Sequence, residues 1–319
     1  MFAGTSTGGL VALGLTTPDP RQRQRPLVSA AELALFYTKD GPAIFHRSFV
    51  QKLTTLRGLI GPKYQLGPLK EAVERRLGHA TLDQALRELV VCAYDMTDRQ
   101  PYFFKRWRAR ETVERNQAIV EAALATSAAP TYFPSHRVPP DRADGHALVD
   151  GGVFAANPTV AAIVEALNRG EDEPANLAPE ELLVVSIGTG VHEDGYSQGE
   201  VSGWGELRWV LPKNHEAPIL STVLGGASDG ADYCANTLLN RPQGPPAPDE
   251  VGRGPTYFRW QVRLTDSIAM DDPDQAKSGA ALPAAAKRLI GTRSAEIDLW
   301  SNDCCGSIHC RTTRPPDRL

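Results

Sequence analysis

No run in this 319-residue chain approaches the roughly 20 apolar positions that a membrane-crossing helix needs. The uncharged N-terminal stretch is broken by Gly4, Gly8, Gly9 and Gly14, and it lacks the basic start of a secretory leader. Positive charge is also short: the net charge is −4 and there is no dense basic face, which argues against a nucleic-acid partner. Arg21, Arg23 and Arg25 form a small cluster that reads as a solvated loop. Five cysteines, an odd and small number, do not make a disulfide scaffold. Cys92 and Cys234 read as small buried hydrophobes. Cys304, Cys305 and Cys310 offer soft ligands, but adjacent cysteines before a short gap do not match the usual zinc spacing. No metal is expected, and residues 301–319 read as a flexible tail.

What is there suffices for one large α/β domain, placed at residues 1–300: 41% of the residues are hydrophobic and 23% charged. The most informative segment is Gly4-Thr5-Ser6-Thr7-Gly8-Gly9. In a G-x-S-x-G elbow the chain turns sharply from strand to helix, and glycines remove the Cβ atoms that would clash there. The Ser6 hydroxyl is lifted clear of the backbone at a helix mouth, where unpaired N–H groups can stabilise an oxyanion. The Thr7 N–H is the expected donor. A phosphate cradle is the competing use of these glycines, but the lysine of G-x-x-x-x-G-K-[ST] is absent.

Further along, Ser29-Ala30-Ala31-Glu32 is a capping box for a helix carrying Leu33, Phe36 and Tyr37 and stopping before Gly41-Pro42. Leu69, Val73 and Leu77 make a helical stripe with Pro68 in the first turn. Leu89 to Tyr94, ending in Asp95, predicts a strand buried on both faces, and Leu182 to Ile187, closed by Gly188-Thr189-Gly190, predicts another. His146 to Val149 leads into Asp150-Gly151-Gly152, and Asn157-Pro158 caps a helix. Residues 241–248 form a proline-rich surface loop, Tyr257 to Leu264 reads as a strand, and Pro283 to Trp300 as a closing helix. Strands alternating with helices predict an α/β layered fold with a largely parallel central sheet.

The elbow serine needs a base. His192 and His215 lie downstream of Asp150, but both sit in polar loop sequence. Asp150 instead ends an apolar strand and precedes two glycines that let the backbone pass close to another group. A carboxylate at the C-terminal end of a strand is where open α/β sheets place their sites. The pair suggests a Ser6-Asp150 dyad with Asp150 as general base.

With these residues in place, the chain resembles the patatin-like phospholipase family, known for a G-x-S-x-G elbow and a DGG or DGA motif. The likeness extends to Ala125-Thr126-Ser127-Ala128-Ala129-Pro130-Thr131-Tyr132-Phe133-Pro134, to Asp150-Gly151-Gly152-Val153-Phe154-Ala155-Ala156-Asn157-Pro158, and to Ser186-Ile187-Gly188-Thr189-Gly190, covering Phe2 to about Leu289. It implies a three-layer α/β/α fold and an acyl hydrolase of the phospholipase or esterase type, working without cofactor. Ser6 would be the nucleophile and Asp150 the proton acceptor. The implied partner is an acyl lipid met transiently at a membrane or micelle surface; the lack of a spanning run and of a basic leader start gives the expectation of a cytoplasmic protein, peripheral at membranes when it meets lipid. Phe133 and Phe154 read either as acyl-chain surface or as core aromatics. The family also carries a glycine-rich loop of the Asp-Gly-Gly-Gly-x-Arg-Gly type upstream of the elbow, whereas here three residues precede Gly4. The expectation is an N-terminally truncated sheet lacking its first strand and oxyanion loop, with weakened activity. The alternative is an inactive patatin-like remnant that binds lipid or a protein partner.

Overall fold

The apolar run Leu89–Asp95 becomes the strand that organises the sheet. The computed structural model describes residues 1–46, 61–168, 177–192, 195–211, 217–240, 256–264 and 275–298. The proline-rich segment 241–248, His215 and the cysteine-bearing tail lie outside the described residues. In chain order the elements are β1 (Phe2–Thr5), α1 (Thr7–Thr16), α2 (Ala30–Leu35), α3 (Gly41–Ile44), α4 (Leu66–Leu77), β2 (Leu89–Asp95), β3 (Gln100–Lys105), α5 (Arg106–Glu111), α6 (Ile119–Thr126), β4 (His136–Val138), β5 (His146–Asp150), α7 (Gly152–Ala155) and α8 (Thr159–Leu167). There follow β6 (Val184–Ile187), β7 (Val191–His192), α9 (Gln198–Val201), α10 (Glu206–Val210), α11 (Pro218–Leu239), β8 (Tyr257–Trp260), β9 (Arg263–Leu264) and α12 (Gln275–Thr292). Short 3₁₀ turns complete the described connections.

β3 returns antiparallel along Val90–Asp95 and takes one edge of β2. A strand has only two edges, so β1 and β5 must share the other. β1 runs parallel along Leu89–Cys92, and β5 runs antiparallel along Ala93–Asp95. Two half-length strands therefore approach each other head to head, with Thr5 opposite Cys92 and Asp150 opposite Ala93. This register brings the ends of two remote segments to one peptide of β2. β4 extends the sheet beyond β5, and among the described residues the outer edge of β1 has no strand partner. Parallel ladders join β1 to β2, β6 to β8 and β7 to β9, while β2–β3, β2–β5 and β4–β5 are antiparallel. The antiparallel share exceeds what the strand-helix alternation predicts, because β2 and β3 are joined by a tight turn, and such a turn can only return antiparallel.

The alternation of side chains along β2 separates two layers of helix. Leu89, Val91 and Ala93 belong to the main core with Leu13 of α1, Val73 and Leu77 of α4, and Ile119 and Leu124 of α6. Tyr94, pointing the other way, packs its ring against Phe154 of α7 at 6.2 Å. Helices thus cover both faces, the α/β/α arrangement implied by the sequence. The stripe Leu69, Val73 and Leu77 is buried as its spacing predicts. Among the described residues no helix is long and apolar enough to cross a membrane.

Four local expectations are revised. The Ser29 capping box forms, but the helix continues through a wide turn, Phe36–Asp40, into α3, because Pro42 falls in a first turn where its missing N–H costs nothing. The strand over Tyr257 to Leu264 is split at Gln261, whose Oε1 accepts the Gly190 N–H at 2.8 Å instead of letting the ladder run on. The closing helix begins at Gln275 and carries Pro283 inside it, sustained by the alanines that flank the proline. Cys234 is exposed on the outer side of α11, beside the buried Ala235 that faces the core.

Candidate active site

β1 delivers Ser6 with φ 53° and ψ −125°, a conformation that an L-residue adopts only when its surroundings impose it. The constraint is visible at Gly4, where a Cβ would stand 2.2 Å from the Gly8 carbonyl oxygen. The turn closes into α1 when Leu10 N–H donates to the Ser6 carbonyl at 3.0 Å. The N–H groups of Thr7 and Gly8 precede that first helical bond, and both residues are exposed toward the cleft.

Thr126 supplies the anchor for the elbow. Its Oγ1 accepts the Ser6 N–H at 2.8 Å and its hydroxyl donates to the Cys92 carbonyl at 2.6 Å. Two residues on, the Ala128 carbonyl accepts the Asp150 N–H at 2.9 Å. The last residue of α6 and the turn after it therefore fix the nucleophile turn and the aspartate strand beside the same peptide of β2. Sequence reasoning assigned Thr126 no role; its only signal was its place in the Ala-Thr-Ser-Ala-Ala-Pro run.

Asp150 is buried, with one carboxylate oxygen accepting the Gly152 N–H at 2.7 Å. The Ser6 hydroxyl lies near enough to the same carboxylate to lower its pKa. Burial pushes the Asp150 carboxyl up to about 6, and the Ser6 hydroxyl and the Gly152 N–H pull the other way. Gly151 is required for the approach: a Cβ there would lie 2.4 Å from the Cys92 carbonyl oxygen. Burial also pushes the Cys92 thiol up to about 12, so this sulfur is no thiolate at neutral pH.

Of the two histidines weighed as bases, His192 falls in β7 and His215 lies outside the described residues. His146 Nδ1 pairs with the buried Asp95 carboxylate at 2.6 Å and His136 Nε2 with Glu121 at 2.6 Å, and neither histidine lines the Ser6–Asp150 cleft. Phe133 packs on Phe45 and Tyr64 in the main core, whereas the half-buried Phe154 packs on Tyr94 and Phe103, and neither lines the cleft. The cleft itself has a volume of 1770 Å³, beyond the about 300–1,000 Å³ usual for small-molecule sites. Ala129, Tyr132, Val153, Leu220 and Leu224 give it apolar wall, and β6 and β8 border its far side.

Replacing Thr126 by valine removes one hydroxyl and strands both the Ser6 N–H and the Cys92 carbonyl. The expected result is a loss of about 2 kcal/mol in urea unfolding and a roughly ten-fold fall in kcat with KM little changed. Thr126→Ser, which keeps the oxygen, should restore both.

An elbow serine at a helix mouth, set beside a buried carboxylate in a partly apolar cleft on an α/β scaffold, is an arrangement that nucleophilic acyl-transfer chemistry can use. The model of the patatin-like phospholipase family matches residues 1–163. Patatin-like protein 2 of Arabidopsis thaliana is 35% identical over 248 residues, which are 73% of this chain and 60% of that protein. Patatin-like protein 2 of Oryza sativa subsp. indica is 34% identical over 257 residues, 75% of this chain and 63% of that one. A relative in Solanum tuberosum, 31% identical over 224 residues (66% of this chain and 58% of its own), is named a probable inactive patatin. The chain belongs to the patatin-like phospholipase family, a family of lipid acyl hydrolases. It spans about three-fifths of the length of the first two relatives.

Proposed function

We propose that this protein is a lipid acyl hydrolase that cleaves acyl ester bonds through Ser6 and Asp150, with residues 1–300 as its catalytic domain. The observation that carries the reading is the head-to-head meeting of β1 and β5 on β2, which sets a strained serine hydroxyl against a buried carboxylate inside a large cleft. Ser6 Oγ attacks the acyl carbonyl carbon while its proton passes to the Asp150 carboxylate. The Thr7 N–H faces the oxyanion that develops. Collapse of the tetrahedral species breaks the bond to the alcohol, which leaves with the proton from Asp150, and the acyl group stays on Ser6. Water then gives a proton to Asp150 and attacks the acyl-enzyme, releasing the fatty acid and returning the proton to Ser6. The substrate is an acyl lipid met in transient contact with a membrane or micelle surface, and the working location is the cytoplasm or its membrane periphery.

The base must be ionised to act, and burial places its titration near 6. kcat/KM for p-nitrophenyl butyrate and p-nitrophenyl laurate should therefore be low at pH 4.5, rise through about pH 6 and level above 7. A folded protein that turns over neither ester at any pH would overturn the hydrolase reading and favour a lipid- or protein-binding role.

A further inference from the structure

The far side of the cleft holds the Arg259 guanidinium, which makes no ion pair among the described residues. β6 and β8 pair in parallel with Ser186 opposite Arg259, so these two side chains leave the ladder on one face. Arg259 Nη1 donates to Ser186 Oγ at 2.9 Å and Nη2 donates to Ser228 Oγ of α11 at 3.3 Å. Ser186 is itself buried among neutral groups, in hydrogen-bond contact with Thr159 Oγ1 at 2.7 Å and Asn157 Oδ1 at 3.3 Å. On α11, Asp232 is engaged by the Tyr257 hydroxyl at 2.5 Å, and Asp229 lines the cleft. Among the described residues neither carboxylate forms an ion pair with Arg259.

The Arg259 guanidinium is held by hydroxyls and reaches the Asp232 carboxylate only through Ser186 and the Tyr257 hydroxyl, and an arginine fork is shaped to take two oxygens of an oxyanion. Arg259, Ser186 and Ser228 line the same cleft as Ser6 and Asp150, so an anion reaching the guanidinium enters by the route the ester would take. We propose that Arg259, with Ser228 beside it, forms a subsite for the phosphate of a phospholipid whose acyl ester lies at Ser6. The assignment rests on the lipid acyl hydrolase reading above and adds the chemical class of head group. Fatty acyl chains would lie along the apolar wall, leaving the charged end of the lipid to β6 and β8.

The test separates binding from turnover by using the full chain with Ser6→Ala. Calorimetric titration with dihexanoyl phosphatidic acid and with uncharged dihexanoylglycerol should give at least about ten-fold tighter binding of the phosphate-bearing lipid. Adding Arg259→Gln should abolish that preference, and Arg259→Lys should keep part of it. Equal preference with and without the guanidinium overturns the proposal, even if wild-type protein hydrolyses esters. Inorganic phosphate alone should bind far more weakly than the lipid; phosphate binding as tight as the lipid would mark a free-anion site instead and overturn the head-group assignment. Should Arg259→Gln fail to fold, phenylglyoxal modification of the Ser6→Ala protein, read by peptide mass, supplies the answer. Dihexanoyl phosphatidic acid should shield Arg259 and dihexanoylglycerol should not, and absence of shielding contradicts the subsite.

Discussion

Ser6→Ala is expected to lower kcat for p-nitrophenyl ester hydrolysis by about 10³-fold or more, with KM changed little. The substitution deletes a single oxygen from a residue whose positioning does not depend on it. The elbow is held through the Ser6 N–H on Thr126 and the Ser6 carbonyl on Leu10 N–H, and both contacts survive in alanine. The fold and the apolar wall of the cleft remain, so substrate still binds. Only the covalent route is lost. Circular dichroism and thermal unfolding of the variant at pH 6 should match wild type, and a loss of activity accompanied by unfolding would attach Ser6 to structure instead.

Asp150→Asn should divide activity from stability. The amide keeps the shape of the carboxylate and its Oδ1 still accepts the Gly152 N–H, but it cannot take a proton from Ser6. A fall in kcat of about 10²–10⁴-fold is expected for loss of a general base. Stability moves the opposite way. The carboxyl titrates near 6 in the folded protein and at its ordinary 3.8 when exposed, so the folded state binds this proton more tightly. The resulting contribution to stability is complete below about 3.8 and is lost as pH rises through about 6. Above that, the buried anion costs on the order of 3 kcal/mol, which the neutral asparagine does not incur. The variant should thus unfold at higher urea than wild type at pH 8 and at the same urea near pH 4. A difference independent of pH would show that Asp150 is not a desolvated carboxylate.

Much of the site was legible because its signals are local. The glycines around Ser6 and those after Asp150 report turns that few other sequences tolerate, and the apolar run from Leu89 reports a strand buried on both faces. The meeting of the two motifs was not legible. It depends on β1 and β5 dividing one edge of β2 at Cys92 and Ala93, a pairing between segments more than fifty residues apart that no periodicity encodes. Thr126 was hidden for the same reason, since its hydroxyl acts on a residue 120 positions away. The wide turn after Leu35 and the break at Gln261 were missed because a proline that looks like a stop can open a new helical turn, and a side chain can take over a backbone partner. Cys234 looked like core because thiols usually are, but exposure on a helix follows the face and not the residue type.

The most direct measurement is to treat the folded protein with a fluorophosphonate, which phosphonylates activated serines, and to map the adduct by peptide mass. A competent Ser6–Asp150 pair predicts the adduct on the tryptic peptide Met1–Arg21 at Ser6, forming faster above pH 6 than below it and slowed strongly by Asp150→Asn. An unlabelled Ser6, or an adduct formed equally fast with and without the Asp150 carboxylate, contradicts it.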